Sequence, residues 1–293
     1  MGYIMNDKSI VNIVNKIIKV DIINIERIKY EDYDGYYNVW KINTVSDSYI
    51  LKQSKDAEVN NYKRIQSDCL PKLFGCAKYY NKIYILIEYI SGIDLTKSSR
   101  DNIIKTLDSL IEIQTKYWDS NDVFELTFEE KVQKVIKRKE YLYDETLELA
   151  YEKFIHVFLS CKKTFIHDDL LPFNVIINKE KSKLIDLEYI GILPYPLSFC
   201  RLITHCKEEK DYIFYMSDDD KKFAINYYYE NFIKNYFINY EQYIKAIKYF
   251  MFYEFTEWVF VYNKYNSVKD QRYEYYYFNS KKLAKEILEG LYD

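Results

Sequence analysis

His167-Asp168-Asp169-Leu170-Leu171-Pro172-Phe173-Asn174, followed after one short hairpin by Leu184-Ile185-Asp186-Leu187-Glu188, is the stretch that decides how this chain is read. Asp169 and Asn174 stand five apart in one tight loop, and Asp186 ends the next hairpin, so three oxygen-bearing side chains converge on one point. Phosphoryl transfer from ATP needs such a set: a carboxylate to receive or orient the acceptor hydroxyl, and an amide with a second carboxylate to hold Mg²⁺ on the phosphates. Asp and Asn are common in turns for conformational reasons alone, so the joint spacing carries the reading and neither fragment does by itself.

Upstream, the runs IERIKY, NVWKIN and SYILKQ within residues 25–53 are rich in β-branched and aromatic side chains and predict an antiparallel meander. A helix is expected over about residues 56–67, then two more strands, LFGCAKYY and KIYILIEYI, before Ser91-Gly92. Beyond that point the period becomes helical, with Ile103, Ile104, Leu107, Leu110 and Ile111 about one turn apart and further helices expected near residues 128–143 and 144–161. One compact β segment interrupts them at residues 164–189, a proline-containing loop covers 190–198, and helices fill most of 218–291. The expected division is a nucleotide-binding lobe at 1–90 and a catalytic and acceptor-binding lobe at 91–293.

Composition excludes other classes. Two hundred and ninety-three residues can bury a sizeable core. A net charge of −3 supplies no field for nucleic acid or anionic lipid. The 34 Tyr and abundant Ile, Lys and Asn fit an AT-rich coding bias, so single tyrosines carry little information. Five cysteines form no CxxC pair, and three histidines are too few to complete a metal framework with them. Reduced thiols, no apolar signal core, Asn6 where a myristoylation site needs Ser or Thr, and no span-length apolar run lead to the expectation of a cytoplasmic chain with no membrane and no nucleic-acid partner.

The patterns HxDxxxxN at 167–174 and IDxE at 185–188 resemble the aminoglycoside phosphotransferase and choline kinase superfamily of protein-kinase-like enzymes. The resemblance implies an α+β, bilobal fold with a small antiparallel β lobe and a larger helical lobe. It also implies ATP and Mg²⁺ as cofactors and a small-molecule acceptor. Asp169 takes the place of the base, and Asn174 and Asp186 those of the metal ligands. Lys52, at the end of the third strand, matches the phosphate-binding lysine, and Glu58 its helix partner, with Asp56 as the alternative carboxylate. Gly35 corresponds to the hairpin over the nucleotide phosphates, with Tyr36, Tyr37 and Asn38 shaping a more closed loop. Glu88 to Ile90 correspond to the hinge that hydrogen-bonds adenine, and His167 orients the catalytic loop.

The chain departs from the pattern after the metal strand, where relatives carry GDPxxxD and this chain has Leu193-Pro194-Tyr195-Pro196-Leu197-Ser198. A protein kinase is disfavoured because Leu187-Glu188 replaces the Phe-Gly of DFG and no APE segment is visible. For the acceptor, Glu254, Glu257 and Trp258 lie at one-turn spacing and could present carboxylates and a π face to a cation; a buried helix with solvated glutamates is the competing reading. Asp218-Asp219-Asp220 after Ser217 reads as a capped helix start. From another class, a catalytically silent nucleotide-binding scaffold would share the fold; intact Lys52, Asp169, Asn174 and Asp186 argue against it. Oligomeric state is not legible.

Overall fold

The computed structural model describes residues 7–29, 34–209 and 211–292, so Asn6 and the end of the IERIKY run at Tyr30 lie outside the described residues. Helix α1 (Asp7–Ile17) comes first, with Ile10, Ile13 and Val14 buried at one-turn spacing. Strands β1 (Ile22–Lys29), β2 (Tyr36–Thr44) and β3 (Ser48–Ser54) follow, then α2 (Asp56–Arg64), β4 (Leu73–Tyr79) and β5 (Lys82–Glu88). All five strands pair antiparallel in the order β1-β2-β3-β5-β4.

Period-two alternation sorts this sheet into two faces. Tyr49 and Leu51 of β3 and Tyr84 and Leu86 of β5 share a core with Ile10, Ile13 and Val14 of α1. Ile50, Ile85 and Ile87 fall on the other face, with Val59 and Tyr62 of α2. Lys52, two residues beyond Ile50, therefore points at α2. Burying the three aliphatic side chains of α1 stabilises by roughly 5–9 kcal/mol by area, an amount comparable with the net stability of a small domain. The sequence reading had no helix there. It also carried α2 too far: Ile65 is already extended, and the Ser67 hydroxyl accepts the Cys69 N–H at 3.0 Å, a local bond that competes with another helical turn.

The helical part starts with β6 (Ile93–Asp94), α3 (Arg100–Lys116), α4 (Phe128–Lys139) and α5 (Glu145–Ser160). It continues through β7 (Lys163–His167), β8 (Val175–Ile177), β9 (Ser182–Leu184) and β10 (Ile190–Pro194), and ends with α6 (Pro196–Thr204), α7 (Asp218–Asn231), α8 (Tyr240–Lys264) and α9 (Gln271–Leu288). Helix starts follow side-chain chemistry: Thr127 and Glu130 make a capping box on α4, Asn239 and Gln242 another on α8. On α7 the Ser217 hydroxyl accepts the Asp220 N–H at 3.0 Å, so the acidic run is the capped start expected of it.

Residues 190–198 are not the expected loop. Strand β10 pairs with β7 along its whole length, Pro194 closes the strand, and Pro196 occupies the first turn of α6, where no N–H is required. Two glycines are fixed by close approach: a Cβ on Gly92 would lie 2.2 Å from the Ile177 carbonyl oxygen, and one on Gly191 would lie 2.3 Å from that of Leu126. The result is an α+β, bilobal, kinase-like architecture. Among the described residues no helix is long and apolar enough to cross a membrane.

Candidate active site

Lys52 joins the two parts of the molecule. Its Nζ donates to Glu58 Oε1 on α2 and to Asp186 Oδ1, both at 2.8 Å. Glu58, not Asp56, is thus its helix partner, and Ser54 Oγ donates to the second Glu58 oxygen at 2.7 Å. Burial works against the ammonium, and Glu58 and Asp186 outweigh it, holding Lys52 above its ordinary pKa. The three groups differ in exposure: the Glu58 side chain is 1% exposed and Asp186 44%, so one partner is permanent and the other faces the cleft. Asp186 sits at φ 64°, ψ 67°, a left-handed conformation that Asp tolerates better than most residues. Asn61 of α2 donates to the Leu187 carbonyl at 2.8 Å and ties that helix to the turn after Asp186.

Main-chain bonds bring the 167–174 loop to the same place. His167 Nε2 lies 2.8 Å from the Ile185 carbonyl; a carbonyl only accepts, so Nε2 carries the proton. The Ile185 N–H donates to the Asn174 carbonyl at 2.9 Å. Asn174 Nδ2 donates to the Asp169 carbonyl at 2.8 Å, which fixes the amide flip and leaves Oδ1 as the atom a cation could take. An amide oxygen and a half-exposed carboxylate with one oxygen beyond Lys52 are hard oxygen donors, the kind a Mg²⁺ ion shared with phosphates takes. Where the resemblance leads to an Asp, Ser198 Oγ accepts the His167 N–H at 2.8 Å and donates to the His167 carbonyl at 3.1 Å, so a hydroxyl supports the loop in place of a carboxylate.

Asp169 opens on a second cluster. Its Oδ1 accepts from Arg201 Nη2 of α6 at 2.9 Å. Arg201 Nη1 donates to Glu254 at 3.1 Å and also to Glu257, both on α8, and approaches His205 Nε2 at 3.2 Å. His205, Glu254 and Glu257 lie close enough to hold a metal ion, but the guanidinium already occupies their focus. Burial opposes the Glu257 charge; Arg201 and then Arg138 outweigh it and draw its pKa down to about 2. Next to Asp169 is a cavity of about 290 Å³, at the small end for a ligand pocket. From α4 it receives Lys131, Lys134 and Arg138, and Lys131 is paired with Asp168 at 2.5 Å.

Several expected positions have other roles. Glu254 and Glu257 line the cavity, and each gives one carboxylate oxygen to Arg201. Trp258 does not line it; its ring packs beside Tyr276 and Tyr262 under the Arg272 guanidinium, 4.8 Å away. Glu88 donates its N–H to the Lys72 carbonyl at 2.9 Å, and its carboxylate takes Lys183 at 2.5 Å. Ile90 follows β5, half-buried. Gly35 opens β2, where Arg27 donates to the Tyr37 carbonyl at 2.8 Å and to Asn38 Oδ1 at 2.9 Å. Glu188 holds Lys55 at 2.5 Å. The sequence reading missed Arg201, Arg138 and Lys131. A compositional signal was present: only six of 42 basic residues are Arg, and two of those six line this cavity.

No family model and no curated protein matches the chain. Solved structures do. An aminoglycoside phosphotransferase from Alicyclobacillus acidocaldarius superposes with a TM-score of 0.63 at 11% identity, over 99% of this chain and 97% of that one. Amicoumacin kinase, solved in complex with AMP-PNP, Ca²⁺ and Ami, gives 0.63 at 12% identity over 97% and 94% of the two chains. A choline kinase from Cryptosporidium parvum gives 0.61 at 13% identity over 92% and 91%. The chain has the fold of these small-molecule kinases.

Proposed function

We propose that this chain transfers the γ-phosphate of ATP to a hydroxyl of a small-molecule acceptor. The observation that carries the reading is Lys52, bonded at 2.8 Å both to Glu58 and to Asp186, with the Asp169–Asn174 loop tied to Ile185, the residue before Asp186. Lys52 would meet the nucleotide phosphates while Glu58 keeps its ammonium in place. Asn174 Oδ1 and the Asp186 carboxylate would hold a divalent cation, which when bound screens the charge on the phosphate oxygens. Asp169 accepts the acceptor's proton as the hydroxyl oxygen bonds to the γ-phosphorus and the bond to ADP breaks. Arg201 fixes the orientation of the Asp169 carboxylate through Oδ1. The neighbour solved with AMP-PNP and Ca²⁺ supports nucleotide and divalent-cation use.

The test is ADP formation from Mg·ATP across aminoglycosides, choline, ethanolamine, amino alcohols and acidic alcohols, with the phosphorylated product identified by mass spectrometry. One equivalent of phosphorylated acceptor per ADP is expected. ADP release with no acceptor product, in the presence of every compound, contradicts the reading.

A further inference from the structure

The cavity beside Asp169 has four cationic and four carboxylate side chains on its walls, and they are engaged unequally. Asp168 is held by Lys131, and Asp169, Glu254 and Glu257 all turn onto Arg201. Lys134 and Arg138, one turn apart on α4, have no carboxylate within 4.0 Å among the described residues. Lys134 is exposed and stands 5.9 Å from the Tyr189 ring. Arg138 stacks 3.9 Å from the Tyr253 ring and gives an N–H to the Tyr253 carbonyl at 2.8 Å, which uses one of a guanidinium's five donors. A cation entering this cavity would share carboxylates whose charge Lys131 and Arg201 already neutralise. An anion would meet the Lys134 ammonium, which has no ion pair to lose among the described residues, and the remaining N–H donors of Arg138, whose charge Glu257 and Glu254 feel without a direct bond.

We propose that the molecule bound in this cavity carries a carboxylate or a phosphate, held by Lys134 and Arg138, and that the acceptor is an acidic alcohol. The assignment of its hydroxyl to Asp169 rests on the phosphotransferase reading above; the anion site rests on the cavity alone. Glycerate and glycerol phosphate, set against choline and ethanolamine, form the probe panel. Each is scored by thermal shift without nucleotide and by ADP release with Mg·ATP, and the two anions separate a carboxylate site from a phosphate site. An anion is expected to raise the melting temperature and to support ADP release. Lys134→Glu, at an exposed position, should weaken its binding and raise its KM about tenfold or more, with KM for ATP unchanged. Arg138→Lys, which keeps the charge and loses the fork, should weaken binding less. If anions bind the parent and not Lys134→Glu, while no compound yields ADP, the anion site stands and the assignment of the bound anion's hydroxyl to Asp169 falls. Turnover of choline or ethanolamine, equal anion binding by Lys134→Glu, or no shift with either anion overturns the proposal.

Discussion

The two sides of the cleft each place one basic group among carboxylates, and the difference between them is a difference between Lys and Arg. On the proposed nucleotide side a single ammonium bridges a sealed Glu58 and a half-exposed Asp186. An ammonium is a compact charge on a flexible stem, so Lys52 can keep Glu58 and turn its remaining donors to a phosphate. On the proposed acceptor side the Arg201 fork takes Asp169, Glu254 and Glu257 at once, at 13% exposure. A planar, permanently charged group with that many partners is a fixed part of the wall. One side is built to change partners and the other to hold a carboxylate still.

Removing the centre of each cluster sharpens that contrast. Arg201→Met should cost about 3–5 kcal/mol in urea unfolding, because three carboxylates lose their shared cation inside the protein; a loss below about 1 kcal/mol would mean that Arg201 does not organise this wall. Asp169→Asn should lower kcat at least ~100-fold with little change in stability. Near-normal turnover would take Asp169 out of the base role.

Protonation probes the same wall more gently. The Glu257 pKa is drawn down from 4.5 to about 2, so its contribution is complete above about 4.5 and is lost as pH falls toward 2. The stability difference between the parent and Glu257→Gln should therefore be flat from neutral pH down to about 5 and shrink below that. A difference that is unchanged down to pH ~2, or one that grows on acidification, would contradict the ion-pair account.

The smallest effect belongs to the nucleotide side. The Tyr62 hydroxyl on α2 is buried with no hydrogen-bond partner among the described residues, and burial holds its pKa well above 10. Tyr62→Phe removes an unsatisfied polar atom and keeps the ring, so it should raise the melting temperature by about 1–3 °C. A fall would show that the hydroxyl has a partner in solution.

The convergence of Lys52, Glu58 and Asp186 with the Asp169–Asn174 loop could be read in the sequence because these groups sit in short segments at fixed spacing: Asp169 and Asn174 in one loop, Asp186 one hairpin on, Lys52 and Glu58 across one strand-to-helix turn. The acceptor side could not, because Lys131, Arg201 and Glu254 meet only through the packing of α4, α6 and α8. Spacing alone placed Glu254 and Glu257 on one helical face without saying that α6 would set a guanidinium against them. The fold was lost in similar places. Helix α1 is a short amphipathic run that only the sheet makes necessary, and the prolines of 190–198 were read as a loop because their places at a strand end and a helix start depend on pairing with β7.

The nucleotide site is the centre of this account, and a calorimetric titration with ATP tests it without knowledge of the acceptor. The parent should bind ATP saturably and more tightly with Mg²⁺ than without, and Asp186→Ala should lose that Mg²⁺ dependence because the ion loses its charged ligand. Equal affinity with and without Mg²⁺, an Asp186→Ala variant indistinguishable from the parent, or no heat of binding at all would contradict it.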